Sequence, residues 1–264
     1  MTLVRTMAVA ILLTFSCSGC VGSSNGAAGD KAASSSSPTP SGSSSASSTP
    51  FPTAAAHSAA NAAVLNISDF PAGWSTSKDK SDDSDTSLFQ KQLGDCLGAS
   101  TSILSGDKAA VYVESPDFDS PDSNTTVSET LSVDRTERAQ QVFAILHQSN
   151  LTKCMTDALS AYMKKSFADS DDADVRSAKL GEVEVGQLSS GHYGDDTVSL
   201  RATVPVSFSG ISTSVYLDVL YVRRGDAVEN LTFQSAGTPV DPETTARFAR
   251  LATRKLTKQD FSNE

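Results

Sequence analysis

Between Val21 and Ala56 the chain is built almost entirely from Ser, Ala, Gly, Thr and Pro, with Asp30 and Lys31 as its only charges. The run Ser34–Ser37 and the prolines Pro38, Pro40, Pro50 and Pro52 lie within it. Such a segment cannot bury enough apolar surface to offset its chain entropy. It therefore reads as a disordered tether, and any fold must come from the rest of the chain. As a coil of about 36 residues the tether reaches on the order of 30–35 Å.

The residues ahead of the tether suggest what it is attached to. Arg5 precedes the apolar run Met7–Phe15, the order of an export signal. That run is far short of the ~20 residues that span a bilayer. Ser18 and Gly19 then precede Cys20, which resembles the lipobox of bacterial lipoproteins, with Cys17 where that motif usually has leucine. The other reading of Cys17–Cys20, a redox C-x-x-C, needs a strand before it and a helix after it. The expected organisation is a signal peptide at 1–19, a lipidated Cys20 with its tether at 20–57, and a folded domain at 58–264. The expected location is the cell membrane, lipid-anchored on the extracytoplasmic face. Two acyl chains on one cysteine supply the two signals that stable anchoring takes. The formal charge is −10, and losing Arg5 with the signal makes it more negative. That balance argues against a nucleic-acid partner.

The folded part carries both helical and strand periodicity. Val127, Leu131 and Val133 share one face of a strand over Thr125–Val133, and Ala109–Glu114 is a second strand. Thr197–Ser207, Ser212–Val222 and Ala227–Gln234 alternate in the same way, with Arg223–Asp226 as a hairpin turn. Phe89–Cys96 reads as a short helix ending near Gly98. Asp134 or Thr136 can cap a helix reaching Gln148, and Leu151–Phe167 and Pro242–Leu256 are two more. Ser75–Ser87 reads as an acidic loop. The expected fold is α+β, an antiparallel sheet with helices packed on one face, as a single domain after the tether. Cys96 and Cys154 are the cysteines inside the domain. Export and an even count favour a disulfide, and two thiolates without a nearby histidine make a poor zinc set.

The layout Asp69–Trp74 (D-F-P-A-G-W), then Cys96-Leu97-Gly98, Ser115–Phe118 (S-P-D-F), Val127–Val133 (V-S-E-T-L-S-V) and a helix ahead of Cys154 resembles exported actinobacterial lipoproteins. More distantly it resembles the extracellular sensor domain of PknH-type mycobacterial kinases. That family has two disulfides where this chain has one cysteine pair in the domain. The resemblance implies a sheet-and-helix domain with a cleft for an unidentified ligand and no known catalysis.

Several motifs bear on chemistry. Asp169, Asp171 and Asp174 suggest calcium, but an EF-hand loop from Asp169 would need glycine at 174 and glutamate at 180, where Asp174 and Leu180 stand. Asp79, Asp82, Asp83 and Asp85 lack a glycine turn. Two S-x-x-K matches, from Ser75 and Ser105, have no accompanying motif. His192 with Asp195 or Asp196 is the one candidate for an oriented base. Arg247, Arg250, Arg254 and Lys258 line one side of the last helix as a possible anionic-surface contact, against a solvated-face reading. No cofactor, metal or catalytic set is indicated. The expected function is a membrane-anchored lipoprotein with a non-catalytic ligand-binding or sensor-like domain. Its ligand would be an unidentified small molecule, lipid or envelope polymer. An envelope hydrolase using His192 with a serine, and a structural partner of another envelope protein, are the alternatives.

Overall fold

The computed structural model describes residues 53–77, 87–104, 106–259 and 261. In chain order its helices are α1 (Thr53–Ala63), α2 (Ser87–Leu97), α3 (Thr101–Leu104), α4 (Thr136–Leu146), α5 (Leu151–Asp169), α6 (Ala173–Ser177) and α7 (Pro242–Thr257). Its strands are β1 (Ser75–Ser77), β2 (Val111–Glu114), β3 (Asp117–Asp119), β4 (Thr125–Val133), β5 (Lys179–Leu180), β6 (Glu184–Gln187), β7 (Asp196–Phe208), β8 (Ile211–Arg224) and β9 (Ala227–Ala236). Together the strands form one antiparallel sheet in the order β1-β3-β4-β9-β8-β7-β5, with β2 also on β4 and β6 also on β7. The fold is α+β, as the sequence implies.

The meander β7–β8–β9 is the frame. Two-residue turns join its strands, and Ser209 and Gly210 both take positive φ (47° and 80°), the geometry a tight hairpin between twisted strands requires. β4 then pairs with β9 along its whole length, Thr125 opposite Ser235 and Val133 opposite Ala227.

Burial on the sheet decides where the helices go. Val215, Leu217 and Val219 of β8 face one way, while Leu220 and Val222 face the other, and all are buried. A strand that is apolar on both faces needs cover on both. Helices α2, α4, α5 and α6 bury the first face together with Leu200, Ala202 and Val204 of β7. α7 covers the second face through Phe248, Ala249 and Ala252. α1 joins it through Ala56, Ala60 and Ala63 against Val111, Leu131 and Val133. The helices, expected on one face, are thus divided between the two.

The domain also begins earlier than expected, at Thr53 rather than at 58. The small side chains of Ala56, Ala60 and Ala63 let α1 approach the sheet closely, and Ala60 is completely buried. The D-F-P-A-G-W segment is an aromatic clasp: Phe70 stacks on Phe118 of β3 at 4.1 Å and meets Phe248 at 4.5 Å and Trp74 at 5.0 Å. Neither Asp134 nor Thr136 caps α4. Its N-cap is Arg135 without a side-chain bond, and the Thr136 hydroxyl donates to Asp226 instead. Ser75–Ser77, expected as loop, pairs with β3.

Cys96 of α2 and Cys154 of α5 form a disulfide, with Cα atoms 5.7 Å apart and a sequence separation of 58. Closing a loop of that length restricts the unfolded chain by about 4 kcal/mol. Replacing both cysteines with serine should lower unfolding free energy by up to about that amount. Urea denaturation of oxidised wild type against the double variant reads this, and equal midpoints would show that the bond contributes no stability.

Candidate functional site

A cavity of about 90 Å³ lies between the helical layer and one half of the sheet. Its origin is in β4. The odd positions Val127, Leu131 and Val133 are buried on the α7 side, which leaves Ser128, Thr130 and Ser132 facing the helices. On the β7–β8 half the same face carries valines and leucines, and the helices seat on them directly. Over β4 and β9 there is no such apolar floor. Thr130 lies in register with Asn230, and Ser132 with Val228, so a hydroxyl and an amide sit side by side beneath a roof of Leu93, Leu97, Val142, Leu146 and Met155.

The floor is partly self-satisfied. The Ser132 hydroxyl donates to the Val228 carbonyl at 3.3 Å, and the Thr232 hydroxyl donates to Asn230 Oδ1 at 3.3 Å. At the rim Arg138 Nε lies 3.3 Å from Asp134 Oδ2, and its guanidinium also donates to the Ser102 carbonyl. Asp226 completes the rim and is held by Thr136. A mainly apolar chamber with a few convergent polar groups is the usual chemistry of a small-molecule site. Its volume is well below the ~300 Å³ where drug-sized pockets begin, so it suits a small or slender group. The disulfide joins α2 to α5, two of the three helices that form the roof.

The opposite face holds a second polar feature, which is absent from the expectations drawn from the sequence. Glu129 and Glu229 are buried, 2% and 1% exposed, on the strand face otherwise filled by Val127, Leu131 and Leu231. Glu129 Oε2 accepts the backbone N–H of Leu65 at 2.6 Å. Burial pushes both carboxyls up, and the neighbouring Glu129 raises Glu229 well above its ordinary 4.5. Of the two, Glu229 is the one pushed further up, by burial first and then by the Glu129 charge beside it. Lys255 lowers both through its charge while binding Asp69 Oδ2 at 2.7 Å and the Val64 carbonyl. The network fastens the end of α1 and the turn after it to both the sheet and α7. An acidic residue at an apolar register position of a strand, Glu129 between Val127 and Leu131, was the available signal.

The remaining sequence expectations fall in three groups. Cys20, the expected signal peptide, the expected tether up to residue 52 and the acidic cluster at 79–85 lie outside the described residues, while residues 53–57 of the expected tether belong to α1. Asp169 pairs with Lys165 and Asp172 caps α6 by accepting from the N–H groups of Asp174 and Val175. No group of three or more metal-binding side chains occurs among the described residues. His192 is not joined to an aspartate. Asp196 pairs with His147 at 3.0 Å, while Asp195 Oδ2 accepts the Gly225 N–H at 2.7 Å. The surroundings of His192 are instead Tyr193, Gly194, Arg247, Arg250, Arg254 and the threonines of α7, with no serine among them. Lys258 is not part of that groove and caps the C-terminus of α7. Among the described residues the exposed large apolar side chains are the separate Ile67 and Ile211, and no helix is long and apolar enough to cross a membrane.

The carboxyl pair gives a signed pH dependence. A carboxyl whose folded pKa is raised keeps its proton in the fold after the unfolded chain has lost it. Stability is then fully present below the unfolded value near 4.5 and declines as pH rises through the folded one. Glu229→Gln should flatten that decline and melt higher than wild type at pH 8. Parallel melting curves for the two proteins from pH 5 to 8 would refute the assignment.

Compared with known protein families and with curated proteins, the chain shows no match.

Proposed function

We propose that the protein is a membrane-anchored lipoprotein of the cell envelope whose folded domain binds a small or slender ligand without catalysing its conversion. The anchor rests on Ser18-Gly19-Cys20 after the apolar run, and on a following segment whose composition suits a tether. The binding reading rests on the cavity between helices α2, α4 and α5 and the β4–β9 half of the sheet. That half presents Thr130 and Asn230 to an otherwise apolar chamber, a combination that orients a ligand by few hydrogen bonds and holds it by burial. Filling it with side chains would have been the simpler way to stabilise the domain, since an empty apolar volume forfeits packing energy.

The hydrolase alternative draws no support from the surroundings of His192, which are cationic and lack a nucleophilic serine. The partner alternative would be favoured by a contiguous exposed apolar patch, and Ile67 and Ile211 stand apart.

Native mass spectrometry of protein extracted from its own membrane should detect a co-purifying small ligand. Ala139→Leu, which fills the chamber from α4, should lose that ligand while the domain still melts cooperatively. A ligand retained by the Ala139→Leu protein would place binding elsewhere. For the anchor, metabolic labelling with a fatty acid should mark wild type and leave Cys20→Ala unmarked and released from the membrane fraction. Equal labelling of both would remove the lipoprotein reading.

A further inference from the structure

We propose that the His192 loop and helix α7 form a recognition groove for a phosphate group. The groove is separate from the helical-side cavity and independent of what that cavity binds. It is an open cleft of about 490 Å³ lined by His192, Tyr193, Gly194, Arg247, Arg250, Arg254, Thr253 and Thr257. The sequence shows only a basic row on one helix. The fold adds a facing wall, which turns a flat charged stripe into a concave site.

Among the described residues no carboxylate pairs with the arginines of the groove. The formal balance of the chain is −10, with 31 acidic residues available to pair. Arg138, Arg201, Arg223, Lys91, Lys153, Lys165 and Lys255 all have carboxylate partners. Arg247, Arg250 and Arg254 have none among the described residues, although all three are exposed. Arg247 rests over the Phe248 ring, its guanidinium carbon 5.6 Å from the centroid. Like charges at spacings of three and four repel one another weakly in solvent, and an anion on the row would relieve that repulsion. Guanidinium groups match tetrahedral oxyanions through paired N–H donors, and this favours phosphate over a single-point anion.

The facing wall is held in place. The half-buried Tyr193 packs against the core cluster beneath α7 that includes Phe248, the Tyr193 N–H donates to Thr197 Oγ1 at 2.9 Å, and the Thr197 hydroxyl returns a bond to the Tyr193 carbonyl. Gly194 adopts φ +63°, and a Cβ there would meet the Arg223 carbonyl oxygen at 2.4 Å, so only glycine fits. These contacts fix the backbone beside His192, which lines the groove as an exposed residue. Thr253 and Thr257, one turn apart, form the flank of α7 that meets this loop. Lys258 continues the row one turn beyond Arg254, but as the C-cap residue of α7 it lies past the end of the groove and does not line it.

The test uses the full chain carrying Cys20→Ala, titrated with sn-glycerol 3-phosphate and, in a separate arm, with phosphatidylglycerol vesicles in a phosphatidylcholine background. Amide NMR shifts should be saturable and centred on His192–Gly194 and Arg250–Thr257. Arg250→Gln with Arg254→Gln should weaken binding at least tenfold, and Lys258→Gln less than twofold. Both are surface changes, and an unchanged melting temperature shows that the fold is intact. Binding of glycerol phosphate assigns the site to a soluble phosphate ester, and binding of vesicles alone assigns it to a lipid headgroup. Absence of saturable binding in both arms would overturn the proposal. So would acetate binding as well as phosphate, or a loss from Lys258→Gln equal to that from the arginine pair.

Discussion

Strand β8 is apolar on both faces and its neighbour-but-one β4 on only one, and the arrangement of the helices follows from this difference. Leu220 and Val222 demand cover on the side opposite Val215, Leu217 and Val219. At roughly 25 cal/mol per Å² of apolar surface, leaving either set wet would cost several kcal/mol. Helices are therefore required above and below the meander. On the helical side of β4 and β9, Thr130, Ser132 and Asn230 offer no comparable gain. The layer of α2, α4 and α5 is held down at the β7–β8 half and bridges the other half. The cavity is the consequence of a sheet whose apolar surface stops partway across.

The second face is built with less slack, and its cost is electrostatic. Taking an ionised carboxylate out of water costs several kcal/mol even after relaxation. Two of them within hydrogen-bond reach would add mutual repulsion, so the pair Glu129–Glu229 keeps a proton. What the arrangement secures is geometric. Glu129 captures the Leu65 N–H, and Lys255 captures the Val64 carbonyl and Asp69, so the chain leaving α1 is fixed to β4 and α7. Arg201 and Asp218 are a further polar pair on this face, with two 2.6 Å bonds and Asp218 only 2% exposed. Apolar residues could fill either site with less penalty. Only polar ones specify the register between strands and between helix and sheet.

What the sequence disclosed depended on length and on local completeness. β4 and β7–β9 are long enough for period-two alternation to be unmistakable, and α4, α5 and α7 present three or more apolar positions at helical spacing. β1, β3, β5 and β6 are two to four residues long and exist because a distant backbone edge is there to pair with. No local pattern encodes that. α1 was hidden by composition, because alanine at 56, 60 and 63 serves equally in a solvated tether and in a helix pressed against a sheet. The cysteine pair was legible from number and context. The cavity needed knowledge of which strand face the helices meet, and the His192 groove needed the contact between a loop and a helix some fifty residues apart.

The two sites also differ in where an anchor would bring them. α1 opens the described domain and packs beside Leu256, on the α7 side of the sheet. A lipid attached upstream of α1 would hold the domain by that side. A tether of about 30–35 Å, as proposed for the stretch ahead of α1, would be comparable to the width of a small domain and would limit how far the molecule can turn away. The face bearing Arg247, Arg250 and Arg254 is then the one held nearer to whatever anionic surface lies at the anchor. A basic groove gains most there, since its attraction decays within a Debye length of about 8 Å at physiological ionic strength. The helical-side cavity, with its rim of Asp134, Arg138 and Asp226, lies behind the sheet from that surface. Solute can reach it without passing the groove. The basic groove and the apolar chamber share no lining residue, so under the proposed reading one would set the orientation of the domain while the other holds a ligand.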